Sequence, residues 1–183
     1  MGVSQGGMTP ALHNGGSVEQ LTPDQPACVT SPLIEIDDTV LRWTRANLEG
    51  QHGVTLEGGP YGSFRVRSPW DMRQLYGALY ATHGGVEQHC DDAGHTLGLV
   101  LIAEGSHRLV VDEHSWPLEV GSVYHIDSDR HHGTTSEDPN GLLAFITLDF
   151  GWKEPVPSVL TYRDFAIDVQ EAFRLFCLKT PIE

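Results

Sequence analysis

The sequence predicts a mainly β domain with flanking helices, folded as an antiparallel sandwich or a small barrel. Its 183 residues suit a single domain with one sizeable core. Short β-rich runs separated by turn signals fill the stretch 96–150, and apolar residues at helical spacing are confined to the segments on either side. Closely spaced strands between helical segments are typical of sheets that helices buttress from outside.

The predicted strands follow one another at short intervals. The first is the apolar run 96–102, which ends at the Glu-Gly-Ser turn 104–106. Turn signals at 113–115, at 127–129 and at 136–141 separate the later runs. The remaining predicted strands cover residues 63–67, 108–111, 122–126, 131–135 and 142–150.

Three helices are predicted. The first covers 39–48, behind the N-cap candidates Asp37 and Asp38. The second starts at Pro69, follows the cap residue Ser68, and continues to the glycine pair at 84–85. The third covers 162–179. In each helix we interpret the apolar stripe as core packing rather than as a cofactor site.

The first 32 residues are predicted to form a flexible leader, and residues 33–183 a single domain that includes the C-terminal helix. The leader is rich in glycine, proline, serine and threonine and has no aromatic residue. The first basic residue is Arg42, so no secretory signal is expected. The alternative for this segment is a lid that orders over a substrate.

Composition excludes several classes of partner. The chain has 11 Lys and Arg against 25 Asp and Glu, a net charge of −14, so nucleic acid and anionic membranes are poor partners. No apolar run approaches the ~20 residues of a membrane span. The cysteines, Cys28, Cys90 and Cys177, are odd in number and widely spaced, which favours a reducing, cytoplasmic location.

The histidines point to a metal centre. Eight of the ten fall between positions 83 and 132. His89 and Asp91 flank Cys90, and in an extended segment residues i and i+2 share a face. The pair His131-His132 follows just over forty residues later, and a double-stranded β-helix brings both places together. Two imidazoles and one carboxylate leave three metal positions open, which is typical of non-haem Fe(II) oxygenases, whereas zinc favours a more closed set.

The chain resembles the aspartyl/asparaginyl β-hydroxylase family over about residues 72–152. That family belongs to the 2-oxoglutarate- and Fe(II)-dependent oxygenases, which have a cupin-like double-stranded β-helix (jelly-roll) fold. The resemblance implies that His89 is the proximal metal ligand and that His132, eleven residues after Gly121, is the distal one in preference to His131. The stretches that carry it are 75–89, 97–100, 104–105, 121–127 and His132.

The resemblance implies an activity. The chain would hydroxylate an unactivated C–H bond of an amino acid or amino-acid-derived small molecule, with a peptide side chain as second choice. Fe(II) and 2-oxoglutarate would be the cofactors, and O₂ the oxidant. The net charge favours a zwitterionic or cationic substrate over an anionic one.

Two positions depart from the family pattern. Where typical members have glycine this chain has Asp91, which completes the triad His89, Asp91 and His132 and argues against halogenation, because no position is left for chloride. Where the family has an arginine for 2-oxoglutarate, this chain has Leu142. A guanidinium is the natural partner of a carboxylate. We therefore take Arg108 as the first candidate cofactor-binding residue, with Arg65 and Arg67 as further options. The resemblance adds His95, which lies near the place of the family's other polar contacts to 2-oxoglutarate.

Alternatives remain open at this stage. The missing arginine favours one alternative, a cupin-type metal-dependent dioxygenase that does not use 2-oxoglutarate, whereas the resemblance favours the 2-oxoglutarate oxygenase. A non-enzymatic cupin-like domain would hold zinc or no metal, and in a plain β-sandwich the histidines would be incidental. The C-terminal helix docks either on its own sheet or on a second subunit, so a homodimer is compatible with the sequence.

A substitution at the distal histidine separates these hypotheses. His132→Ala is expected to lose iron and to keep its fold, because it removes one metal ligand at the end of a strand and leaves the apolar core residues unchanged. Iron content after anaerobic loading tests the loss of the metal, and the circular dichroism spectrum of the same sample tests whether the fold is kept. Unchanged iron affinity would contradict the assignment.

Overall fold

Strands dominate the described part of the chain, residues 27–29, 33–48, 64–67, 74–92, 94–149 and 162–180 of a computed structural model. The strands are β1 (Ala27–Val29), β2 (Phe64–Arg67), β3 (Gln74–His83), β4 (Gly85–His89), β5 (His95–Ala103), β6 (His107–Val111), β7 (His114–Leu118), β8 (Val123–Asp127), β9 (His132–Ser136) and β10 (Leu142–Asp149). The helices are α1 (Asp38–Leu48) and α2 (Tyr162–Lys179).

The strands form two antiparallel sheets. The six-stranded sheet has the order β1-β8-β5-β10-β3-β2, and the four-stranded sheet has the order β4-β9-β6-β7. From β3 to β10 the chain passes back and forth between the two sheets, with only the hairpin β6–β7 staying in one. This topology is a double-stranded β-helix of the jelly-roll type. It confirms the predicted fold class of a mainly β, cupin-like domain with flanking helices.

The six-stranded sheet is buried on both faces, which explains the apolar run in β5. Leu97, Leu99 and Leu101 pack in the cluster that the sheet shares with the two helices. Val100, with the opposite pleat parity, packs in the cluster between the two sheets. A strand buried on both faces needs apolar residues at odd and even positions alike. The sheet therefore has a helix side and a cavity side, and the side on which a residue lies follows from its parity.

The two helices pack against each other on the helix side of the six-stranded sheet. Trp43 of α1 meets Phe173 and Phe176 of α2 edge to face, with ring centroids 5.6 and 5.4 Å apart. The Trp43 indole N–H donates a hydrogen bond of 2.6 Å to the carbonyl of Thr180. Gln170 of α2 donates to the carbonyl of Glu35, so α2 also holds the segment that precedes α1. The stripes predicted as core packing in 39–48 and 162–179 are confirmed, and α2 packs on its own chain.

The predicted helix over 69–83 is wrong in the part that the structure describes. Residues 74–83 form β3, in which Leu75 and Leu79 are buried while Gln74 and Tyr76 are exposed. Buried residues at i and i+4 fit a strand of period two as well as a helix. Pairing with β10 along most of its length decides for the strand. The capping signal at 68–73 lies outside the described residues.

Several shorter elements were not predicted. The strands β4 and β7 were not expected, and β7 begins inside the turn predicted at 113–115. Three residues of the segment predicted as a flexible leader, Ala27–Val29, form β1 and pair with β8. The rest of 1–32 lies outside the described residues. Neither described helix combines the length and the apolar character that crossing a membrane requires.

A histidine is buried where the six-stranded sheet meets α2. The His125 ring on β8 is 1% exposed, and its centroid lies 3.9 Å from that of Tyr162. Burial, with a smaller contribution from His95, lowers the pKa of His125 to about 3. The ring is therefore neutral in the folded protein, whereas in the unfolded chain it takes up a proton near its ordinary pKa of 6.5.

This histidine makes the fold sensitive to acid. Because its pKa is lowered on folding, its neutral form contributes stability that is present above about pH 6.5 and is lost as the pH falls towards the folded-state value. We expect a loss approaching about 1.4 kcal/mol in the free energy of unfolding per pH unit below that point. His125→Gln should show a shallower dependence than the wild type in urea unfolding at about pH 7.5 and about pH 5. His114→Gln, at an exposed position on β7, is the control. Equal slopes in all three proteins would contradict the expectation.

Candidate metal centre

Two paired strands bring the three predicted metal ligands together. His89 is the last residue of β4, His132 is the first of β9, and the two are register partners. Asp91 follows β4 by two residues. Its Oδ2 lies 3.6 Å from His89 Nε2 and 3.3 Å from His132 Nε2. The three donor atoms lie within 4.8 Å of one another, in the one group of three such side chains found among the described residues.

A β-bulge sets this pairing. Between Val86 and His89 the register shifts, so three steps along β4 face two steps along β9. Gly133 lies opposite the bulge, where an added Cβ would stand 2.6 Å from the carbonyl oxygen of Val86 and 3.1 Å from the backbone of Gln88. A side chain at 133 would therefore push β4 away from β9. The close approach of the two strands at the histidines depends on this glycine.

Backbone carbonyls orient both imidazoles. His89 Nδ1 lies 2.8 Å from the carbonyl oxygen of Glu87, and His132 Nδ1 lies 2.9 Å from that of Arg130. Since a carbonyl only accepts, Nδ1 carries a proton in each ring, which leaves Nε2 of a neutral imidazole as the metal-binding atom. Both Nε2 atoms lie within 3.6 Å of the Asp91 carboxylate, so the three side chains bring their donor atoms close together. A divalent metal fits this donor set, and an Nδ1–H bond to a carbonyl is the usual support for a ligating histidine.

Of the two neighbouring histidines at 131 and 132, only His132 belongs to the triad. His132 is 7% exposed and joins the triad, whereas the neighbouring His131 is exposed and takes no part in it. His131 has the opposite pleat parity, which turns it away from His89 and Asp91.

The triad opens into a cavity of about 190 Å³ between the two sheets. The rings of Tyr80 and Phe145 are stacked at 5.9 Å along one wall. None of the described lining residues is Lys or Arg. The lining consists of Tyr80, Val86, His89, Asp91, Thr96, Leu109, Tyr124, Ile126, His132, Gly133, Thr134, Phe145, Thr147 and Asp149.

A second carboxylate faces the same cavity. Asp149 ends β10 and has the same parity as Phe145 and Thr147, which also line the cavity. The hydroxyl of Thr96 donates to its Oδ1 at 2.6 Å. Loss of solvent around the carboxyl and the negative charge of Asp91 raise the pKa of Asp149, against the opposing effects of Thr96 and His132. Sequence reasoning missed this residue, although alternation along the predicted strand 142–150 would have placed it beside Phe145 and Thr147.

The two predicted cofactor-binding residues do not line the cavity. Arg108 on β6 is exposed, and its guanidinium hydrogen-bonds to the hydroxyl of Ser115 at 3.0–3.1 Å and to its carbonyl at 3.2 Å. His95 on β5 lies on the helix side, where its Nδ1 is 3.2 Å from His125 Nε2. The reason in both cases is pleat parity, because the neighbours Leu109 and Thr96 are the ones that face the cavity. The structure thus corrects the prediction that Arg108 or His95 reaches the site.

The other predicted candidates for a basic residue that binds the cofactor do not line the cavity either, as far as the structure describes their side chains. Arg65 lies over the ring of Tyr76, at 5.3 Å from its centroid, on an exposed stretch of the sheet. The side chain of Arg67 is outside what the structure describes. Leu142 packs against the helix-side core, so position 142 does not face the cavity at all.

Comparison with known proteins finds similarity to solved structures alone. No family profile and no curated protein matches the chain. A cupin-2 domain protein from Shewanella frigidimarina has 15% identity and a TM-score of 0.38, with 57% of this chain and 87% of that one covered. A cupin superfamily protein from Desulfitobacterium hafniense has 16% identity and a TM-score of 0.39, with coverage of 57% and 85%.

A third solved structure, an uncharacterized double-stranded β-helix protein from Klebsiella pneumoniae, has 14% identity and a TM-score of 0.37, with coverage of 58% and 90%. Likeness at this level carries no information on activity. The resemblance to the aspartyl/asparaginyl β-hydroxylase family therefore stays a prediction.

Gly133 offers a test of the site that leaves every ligand in place. Gly133→Ala is expected to weaken Co(II) affinity by about 10- to 100-fold, because the added methyl group separates β4 from β9 and moves His89 away from His132. Competition with a chromophoric chelator measures it. In the control, Gly141→Ala, the added Cβ would stand 2.2 Å from the carbonyl of Glu104, at the end of β10 away from Asp149. It should lower stability and leave Co(II) affinity unchanged. Equal metal affinity in both variants would argue against the role of the bulge.

Proposed function

We propose that the protein is a mononuclear non-haem Fe(II) oxygenase in which His89, Asp91 and His132 hold the metal. The observation that carries the proposal is the convergence of two imidazole Nε2 atoms and one carboxylate at the edge of an aromatic-walled cavity. Two nitrogen donors and one oxygen donor suit Fe(II), and they leave three positions for O₂ and an organic ligand.

The chain's own residues would prepare the site for oxidation. The carbonyls of Glu87 and Arg130 fix the imidazole orientation before metal arrives. Tyr80, Tyr124 and Phe145 line the cavity on the inner side of the triad, where an oxidising centre needs shielding from side reactions, whereas the His89 and Asp91 side chains are 46% exposed. When bound, Fe(II) supplies the O₂ activation that hydroxylation of an unactivated C–H bond requires.

The cavity suits a small molecule or a single side chain as the group that enters it. A cavity of ~150 Å³ takes up benzene, so about 190 Å³ accommodates a group near the size of one six-membered ring, and the rest of a larger ligand would extend past the exposed side chains of His89 and Asp91. An amino acid, an amino-acid-derived metabolite or the side chain of a peptide fits this size. This supports the substrate class that the hydroxylase resemblance implies.

The role of 2-oxoglutarate divides the proposal into two candidates. The resemblance and the three open metal positions support 2-oxoglutarate as cosubstrate. The absence of Lys and Arg from the described cavity lining favours the second candidate, an Fe(II) dioxygenase that does not use it. A dicarboxylate in this cavity would face Asp149 with no described guanidinium to offset the repulsion.

An anaerobic titration of the metal-free protein with Fe(II) and then with 2-oxoglutarate tests both. Iron should bind to the wild type and to His131→Ala, and should fail to bind to His132→Ala. A visible metal-to-ligand charge-transfer band on addition of 2-oxoglutarate would establish the first candidate, and substrate-stimulated succinate formation would then identify the amino acid. Iron binding without the band supports the second candidate. Absence of iron binding, or binding of zinc alone, contradicts the proposed function.

A further inference from the structure

We infer that the cavity recognises its ligand through a primary ammonium group, which Asp149 binds opposite an aromatic wall. The inference rests on the proposed function in one respect, namely that the metal, when bound, engages Asp91 and leaves Asp149 as the free carboxylate of the site. It names a substrate class, a small amine on an apolar body, which the fold and the metal triad alone do not indicate.

The hydrogen bonding of Asp149 leaves room for a ligand. Among the described residues, Thr96 alone donates a hydrogen bond to Asp149, and this bond goes to Oδ1 of the carboxylate. A carboxylate accepts at both oxygens, so Oδ2 can take a further N–H donor from within the cavity. The bond from Thr96 also fixes the rotation of the carboxylate, which reduces the entropy lost when a ligand binds.

The charges around the cavity favour a cation. The described lining holds two carboxylates, Asp91 and Asp149, and no Lys or Arg. A metal compensates Asp91, which it contacts directly. The Asp149 carboxylate keeps the cost of its partial desolvation. An ammonium group at Asp149 offsets this cost, whereas a carboxylate-bearing ligand beside Asp149 adds a repulsion between like charges.

The aromatic wall completes the site for such a ligand. Tyr80 stacks on Phe145, Tyr124 meets Phe145 edge to face at 6.4 Å, and all three side chains line the cavity. Aromatic faces attract cations and pack well against flat apolar groups. The volume of about 190 Å³ suits one ring with a short amine-bearing arm.

Three probes of nearly equal shape test the inference on protein loaded with Zn(II), which does not react with O₂. They are benzylamine, which is cationic near neutral pH, benzyl alcohol, which is neutral, and benzoate, which is an anion. Isothermal titration calorimetry should rank them in that order, with benzylamine about 10- to 100-fold tighter than benzyl alcohol, since a hydrogen bond between charged groups is worth that much.

Variants assign the preference to Asp149. In Asp149→Asn, benzylamine should bind no better than benzyl alcohol. Thr96→Val, which frees the carboxylate to rotate, should reduce the preference without removing it. Asp168→Asn changes the net charge equally at an exposed position on α2 and should behave as the wild type. Equal binding of benzylamine and benzyl alcohol by the wild type would overturn the inference, as would a preference that survives in Asp149→Asn.

The same probes separate this inference from the proposed function. If the protein binds neither iron nor zinc, the proposed function fails, and titration of metal-free Asp91→Asn then decides the inference alone. An amine preference that persists there, and disappears when Asp149→Asn is added, supports recognition by Asp149. A preference that disappears with Asp91→Asn alone assigns the amine to Asp91 and refutes the inference.

Discussion

The site depends on the contact between β4 and β9 at the bulge opposite Gly133. There the two backbones come so close that no side chain fits, and the register makes His89 and His132 direct partners. The Nδ1 atom of each ring is then held by the backbone carbonyl of the residue two positions earlier. Asp91 completes the group because the chain leaves β4 immediately after His89. The backbone therefore places the three donor side chains close together, and a metal does not have to rearrange the strands in order to bind.

The double burial of the six-stranded sheet separates two kinds of chemistry. On the cavity side, Thr96 and Asp149 add a hydrogen-bonded polar pair to the lining that holds the metal triad and the aromatic wall. On the helix side, His125 and His95 form a pair beneath α2, where burial keeps His125 neutral. On β5 the two sets meet at adjacent residues, since His95 faces the helix side and Thr96 faces the cavity. A single-residue shift in register would exchange them, so the sheet pairing specifies the site as well as the core.

The electrostatics of the cavity link the two proposals. A site with two carboxylates and no described Lys or Arg attracts a divalent metal to Asp91 and leaves Asp149 for a cationic ligand. The same distribution disfavours a dicarboxylate such as 2-oxoglutarate. The identity of the cosubstrate and the charge of the substrate are thus aspects of one physical question, namely which species balances the acidic residues of the cavity.

The sequence by itself determined those features that depend on neighbouring residues: the runs that became β2, β5, β6, β8, β9 and β10, the helices α1 and α2, and the spacing that marked His89, Asp91 and His132. Alternation, capping and turn signals act over a few positions and can be read locally. Tertiary structure decided what local patterns leave ambiguous. Leu75 and Leu79 fit helix and strand alike, until pairing with β10 made the segment β3. Parity placed Asp149 in the cavity and turned Arg108 and His95 out of it, because the face that each strand presents depends on partners far away in the chain.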